Sequence, residues 1–184
     1  QAMRKFWIDL GLTQKDIAVP MATLNSLNAK AVDAEAPRLS FVREPRTVIL
    51  DITGIELTKV TLPIHPEHPD KGVREWLLGD SPLEVKIASE DFTTREARRL
   101  KDFADIGIKH KKTKRGWEGD VSRTERYGNT PIIHWLPSNM AQPAVLLLEE
   151  EGELVSAIGL LEINDYPDGT VVQLERMGFA ILEG

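Results

Sequence analysis

Apolar residues recur at helical spacing only at the start of the chain. Met3, Phe6, Trp7 and Leu10 fall at i, i+3, i+4 and i+7, one stripe of a helix that Gly11 stops. Thr13 is placed to cap a short turn over Gln14-Lys15-Asp16. Pro20 suits a first helical position, and Met21, Leu24, Leu27 and Ala31 extend a second helical face. Ala36-Pro37 ends it, because a residue before proline avoids the helical region. After Pro37 the period changes from 3.6 to 2. Leu39, Phe41, Val48–Ile52, Leu57–Leu62, Leu83–Ala88, Ile106–Lys109, Pro131–Trp135, Ala144–Leu148, Leu154–Leu160, Val171–Glu175 and Phe179–Leu182 read as short strands. Thr53-Gly54, Glu151-Gly152, Pro167-Asp168-Gly169 and Met177-Gly178 are the turn signals between them. Many short strands with regular turns predict a mainly β, closed or nearly closed barrel architecture behind a short helical segment.

The 184 residues suit one domain or two small interlocked units, and 41% hydrophobic residues suffice for a core. No apolar run approaches the ~18 residues of a membrane span. The absence of cysteine excludes disulfide scaffolds, zinc–thiolate sites and thiol nucleophiles. A reducing, cytoplasmic setting is compatible with that. The start has no secretory signal pattern and reads as a piece of a longer protein.

Charge is segregated. The chain carries −6, yet between Arg95 and Arg115 nine basic side chains face three acidic ones, so the remainder carries −12. Beyond Pro143 nine carboxylates face only Arg176. Such a chain can aim one face at a polyanion while another repels it. A solvated basic loop on an acidic protein is the plainer reading. Asp102 and Asp105 among these bases suggest solvent-facing surface.

No enzymatic centre emerges. His65-Pro66-Glu67-His68 in an extended proline-stiffened segment would hold its imidazoles ~9 Å apart, too far for one tetrahedral zinc. His134, between Ile133 and Trp135, reads as a packed or outward strand residue. No nucleophile elbow or phosphate-cradling glycine loop is present. Arg38, Arg99 and Lys101, with Gln173 and Arg176 in the last strand pair, are instead planar or charged donors on rigid strands. Those suit the edges of unstacked bases. Arginine and lysine blunting exposed strand edges are the alternative.

Residues 2–16 (AMRKFWIDLGLTQKD), Ala36-Pro37-Arg38, Leu62-Pro63-Ile64-His65-Pro66, Ser89-Glu90-Asp91-Phe92, Arg99-Leu100-Lys101-Asp102-Phe103, Ile132-Ile133-His134-Trp135 and Val172–Phe179 form an ordered set over nearly the whole chain. That set resembles the region beyond the catalytic core of archaeal-type glutamyl-tRNA synthetases and the related glutaminyl enzymes. The resemblance implies a helical connector over 1–36 and an anticodon-binding double β-barrel over 37–184, of the kind shared with a ribosomal 5S-RNA-binding protein. It implies a class I ligase as parent, attaching glutamate to tRNA(Glu) with ATP and Mg²⁺, and no cofactor in this part. The His-Ile-Gly-His-type and Lys-Met-Ser-Lys-Ser-type signatures of the catalytic half are absent, so this part should bind tRNA without making the ester. tRNA(Gln) is a second candidate partner, the catalytic half a third; no membrane partner is implied.

By position, Arg38, Arg99, Gln173 and Arg176 resemble the polar side chains that the glutaminyl relative places around the anticodon. Lys101 joins them by nearness to Arg99. Lys109 stands where that relative has arginine, losing the bidentate fork and favouring phosphate contact. Glu35 and Glu67 stand where it has asparagine. The expectation is that Arg38, Gln173 and Arg176 meet base edges. Arg98, Arg99, Lys101, Lys109, Lys111, Lys112, Lys114 and Arg115 would neutralise phosphates, the last of these from a loop. Rival readings are the glutaminyl enzyme's barrel, a free-standing ribosomal-RNA-binding barrel, and a protein-docking module using the acidic face.

Overall fold

A computed structural model describes residues 2–11, 21–150 and 152–184. The expected Thr13 cap and Pro20 helix start lie outside the described residues. Helix α1 spans Ala2–Leu10 and α2 Met21–Asp33. Strands β1 (Arg38–Leu39) and β2 (Phe41–Arg43) flank Ser40. Then come β3 (Pro45–Asp51), β4 (Lys59–Pro63), β5 (Val73–Leu77), β6 (Leu83–Ala88), β7 (Arg98–Leu100), β8 (Asp105–Lys112), β9 (Trp117–Arg123), β10 (Ile132–Ile133) and β11 (Trp135–Pro137). The last four are β12 (Ala141–Glu150), β13 (Glu153–Glu162), β14 (Val171–Leu174) and β15 (Gly178–Ile181).

A seven-stranded sheet, β10-β7-β8-β9-β3-β6-β11, forms a nearly closed barrel. Its edge strands β10 and β11 are separated by the single residue His134, so chain continuity shuts the barrel where the ladder stops. Alternation along β3 and β6 sends Val48, Leu50, Leu83, Val85 and Ile87 into one core with Leu100, Ile106 and Trp135. Trp135 packs edge-on to Trp76, with ring centroids 5.4 Å apart, and lies 5.3 Å from Phe103. Its indole N–H donates to the carbonyl of Lys101 at 2.9 Å, so a buried polar group is satisfied and Lys101 is pinned.

The chain's flanks build a second unit. β12-β13-β2 is one three-stranded sheet and β1-β14-β15 another, linked through Ser40. Leu39, Phe41, Val172 and Leu174 form its small core. Gly159 in β13 is required there: a Cβ would come within 2.5 Å of the Phe41 ring and 2.6 Å of the Val42 carbonyl oxygen. Glu162, fully buried, ties the two units. Its carboxylate accepts from the Arg74 Nε at 2.8 Å, the Trp76 indole at 2.7 Å and the Ser40 backbone at 3.0 Å.

Three expectations are corrected. β5 and β9 lie in segments not read as strands, because charged residues and a glycine interrupt their apolar pattern (Val-Arg-Glu-Trp-Leu; Trp-Glu-Gly-Asp-Val), although β9 lies inside the seven-stranded sheet. The Pro131–Trp135 strand breaks at His134. The helix expected from the stripe is present as α1, which packs against α2 and leaves Met3 and Trp7 exposed. His65 and His68 do not stand in an extended segment. The His68 N–H bonds the His65 carbonyl in a turn, bringing the rings to 4.5 Å.

Candidate nucleic-acid interface

β1 and β14 pair in parallel, with Arg38 opposite Gln173 and Leu39 opposite Leu174. The Gln173 N–H donates to the Pro37 carbonyl at 2.9 Å and the Glu175 N–H to that of Leu39 at 3.1 Å. This register unites two residues from opposite ends of the chain. Their side chains then diverge. Arg38 is 7% exposed; its guanidinium donates to Asp33 at 2.8 Å and to the Ala36 carbonyl at 3.1 Å. The Gln173 amide is half-buried and has no side-chain partner among the described residues.

One turn on, Arg176 closes the β14–β15 hairpin at φ +68°, a left-handed conformation uncommon for a non-glycine residue. Its guanidinium reaches Asp91 at 2.5 Å and Glu90 at 4.0 Å, tying this turn to the β6–β7 loop of the large barrel. Beside it, Glu175 accepts from Lys101 and lies 2.9 Å from the His134 Nδ1. Lys101 and His134 meet there because β7 and β10 pair in parallel and the Lys101 N–H bonds the Ile133 carbonyl at 3.1 Å. Burial pushes the Glu175 carboxyl up, but the hydrogen bonds and charges of His134 and Lys101 overcome it and hold the group down at about 2. Glu175, Lys101 and His134 therefore form one cluster at the junction of the two units, with Arg176 next in sequence and Gln173 two positions earlier on β14.

Other candidates lie elsewhere. Arg99 is buried: it donates to Asp105 at 2.9 Å and to the carbonyls of Thr124 at 2.8 Å and Glu125 at 3.3 Å. Asp105 is thereby buried too, against its expected surface position. Arg98 pairs with Glu96 at 2.9 Å. The expected basic loop is mostly strand, since β8 runs to Lys112 and only 113–116 turn into β9. Lys109 pairs with Asp120 and Lys111 with Glu118, both at 2.7 Å, while Arg115 lies 3.7 Å from Glu84. The hydrogen bond to Asp120 raises the Lys109 ammonium above its usual range. Lys112 sits 6.0 Å over the Trp117 ring, and Lys114 has no ion pair among the described residues. At ~3.3 Å per residue, β8 carries Lys112 ~20 Å from Asp105, the end that pairs with β7.

The His65 imidazole is committed to the protein itself. In His65 the Nε2 lies 2.9 Å from the Asp33 carbonyl and Nδ1 accepts from the Glu67 N–H at 3.1 Å, so both nitrogens are used. Sequence reasoning missed Glu175, His134 and Asp91 as members of the junction. The pattern that carries a signal is Glu175-Arg176 at a strand end, whose opposite charges turn to different partners.

Comparison with known proteins bears on the family of the chain. Residues 36–125 match the family described as tRNA synthetases class I (E and Q), anti-codon binding domain. Over its whole length the chain is 32% identical to the glutamate–tRNA ligase of Methanosarcina acetivorans and 34% identical to that of Methanosarcina barkeri. Over 97% of its length it is 31% identical to that of Thermoplasma volcanium. The chain spans about a third of these relatives, 31%, 31% and 30% respectively. Through residues 36–125 the chain belongs to the anticodon-binding domain family of the class I tRNA synthetases for E and Q.

Proposed function

We propose that this chain is the anticodon-reading part of a glutamate–tRNA ligase, with residues 1–36 as connector to a catalytic half and 37–184 as the anticodon-binding double barrel. The parent would attach glutamate to tRNA(Glu) in the cytoplasm using ATP and Mg²⁺. The two signature motifs for that chemistry are not in this sequence, so this part alone would be inactive. The observation that carries the reading is the junction cluster. Gln173 offers an amide without a side-chain partner among the described residues, and Arg176, three positions on in the same hairpin, a half-exposed guanidinium; Glu175, between them in sequence, is paired to Lys101.

Unstacked anticodon bases entering this junction would meet the amide of Gln173 and the fork of Arg176, which must leave Asp91 to bond a base edge. Lys101, Arg98 and the exposed bases Lys109, Lys111, Lys112, Lys114 and Arg115 would neutralise phosphates further along the stem. Arg38 and Arg99, both buried, would act by holding the backbone on which the readers stand.

Filter binding of tRNA(Glu) and of an anticodon-swapped tRNA(Glu) tests this. Gln173→Ala and Arg176→Ala should weaken the cognate tRNA about tenfold and the swapped tRNA far less. Equal losses for both tRNAs would remove the base-reading assignment.

A further inference from the structure

The second unit has an open seam. Its strands run β12-β13-β2, pass through Ser40 to β1, and continue β14-β15, but no ladder joins β15 back to β12 among the described residues. Between those two edges lies a groove of about 550 Å³. Successive residues line it, 145–148 from β12 and 178–183 from β15 and the residues just after it, with Asn28 and Val32 of α2 at one side. Lining by consecutive residues means that strand edges, not one face, border the space.

Ladder alternation fixes which backbone groups point into it. The Ile163 N–H bonds the Met140 carbonyl, so the paired bonds of β12 to β13 fall at even positions. Val145, Leu147 and Glu149 thus turn their N–H and C=O groups to the free edge. Pro143, at the same parity, has no N–H to offer, as befits an edge. On β15, the Leu182 N–H bonds the Thr170 carbonyl, which leaves Phe179 and Ile181 facing the groove. Inside, Leu146, Ala180 and Leu182 pack on the small core yet are only half-buried. Outside, Val145, Leu147 and Ile158 are 62%, 58% and 71% exposed on one face of the ribbon.

We infer that this seam receives one extended polypeptide strand from a partner protein, alternating aliphatic and basic residues. Main-chain bonds to both free edges would supply affinity. Aliphatic side chains facing inward would cover Leu146, Ala180 and Leu182. Lysine or arginine stems facing outward would lie along Val145 and Leu147, with their charges near Glu149 and Glu183. Charge selects this occupant. The residues lining the groove include Glu183 and no lysine or arginine, and Glu149 and Glu153 are exposed at the end of the β12–β13 ribbon, so the seam itself repels RNA, anionic lipid and a second copy carrying −6.

The test is titration of the whole chain with a synthetic peptide alternating valine and lysine, as long as the ten-residue β12. Binding should slow amide exchange at Val145, Leu147, Phe179 and Ile181. Leu147→Pro removes a free-edge donor without breaking a ladder bond and should weaken the peptide at least about tenfold. Glu149→Lys with Glu183→Lys, which keeps every free-edge donor and removes only the Glu149 bond to the Gly152 N–H in the turn, should weaken it as well and admit a valine–glutamate peptide. Unchanged affinity in both variants would overturn the proposal. So would protection of the same amides by rising chain concentration alone, which identifies a second copy. Affinity for tRNA should be unaffected by the peptide, so this test is separate from anticodon reading.

Discussion

Gln173 stands beside Arg38 across a two-residue parallel ladder, yet the half-buried Gln173 amide has no side-chain partner among the described residues while Arg38 turns back into the protein on Asp33. Arg38→Ala should therefore act first on stability, lowering it by about 1–3 kcal/mol through the unpaired Ala36 carbonyl and lost packing. Gln173→Ala should leave the melting temperature within a degree or so while changing anticodon preference. Thermal unfolding and tRNA binding on the same two variants separate these outcomes.

Glu175 gives the junction an acid limit. Its carboxyl is held at about 2, against an ordinary value of 4.5. A depressed folded-state value contributes stability that is complete above the unfolded value and is lost as pH falls toward the folded one. About 3 kcal/mol should thus fade between pH ~5 and pH ~2. Urea unfolding against pH should show a shallower decline over that window for Glu175→Gln, whose starting stability is lower.

Arg99 and Asp105 form a buried pair on neighbouring strands. Removing Arg99 leaves Asp105 charged and two carbonyls unbonded, so Arg99→Ala should cost about 3–5 kcal/mol. Chemical denaturation measures it. A mild variant would refute the buried-pair role.

The β8–β9 hairpin should act without sequence preference. Neutralising Lys111, Lys112 and Lys114 together should weaken all tRNAs alike. If each meets a duplex phosphate, it should reduce the slope of log K against log salt by about 0.9 per charge. Unequal losses among tRNAs would contradict a phosphate role.

Gly159 offers a packing test. Adding one methyl forces Phe41 or the Val42 carbonyl to move, so Gly159→Ala should destabilise the protein by about 1–3 kcal/mol. Loss of near-ultraviolet signal at lower temperature than the wild type would report it.

The amino-acid order alone determined the switch from helix to strand at Pro37, most of the strands, and the segregation of charge, because each rests on local period or composition. β6 was legible to the residue, since Leu83, Val85 and Ile87 alternate without interruption. Local pattern could not show that Arg38 and Arg99 are buried. A charge is read as surface until its partner is known, and Asp105 reaches Arg99 only once β7 and β8 fold back on each other. The pairing of Arg38 with Gln173, the meeting of Lys101, His134 and Glu175, and the seam between β12 and β15 all join segments distant in sequence. Only tertiary structure decided them, because backbone hydrogen bonds between remote strands set their registers and no periodicity encodes a register across the whole chain.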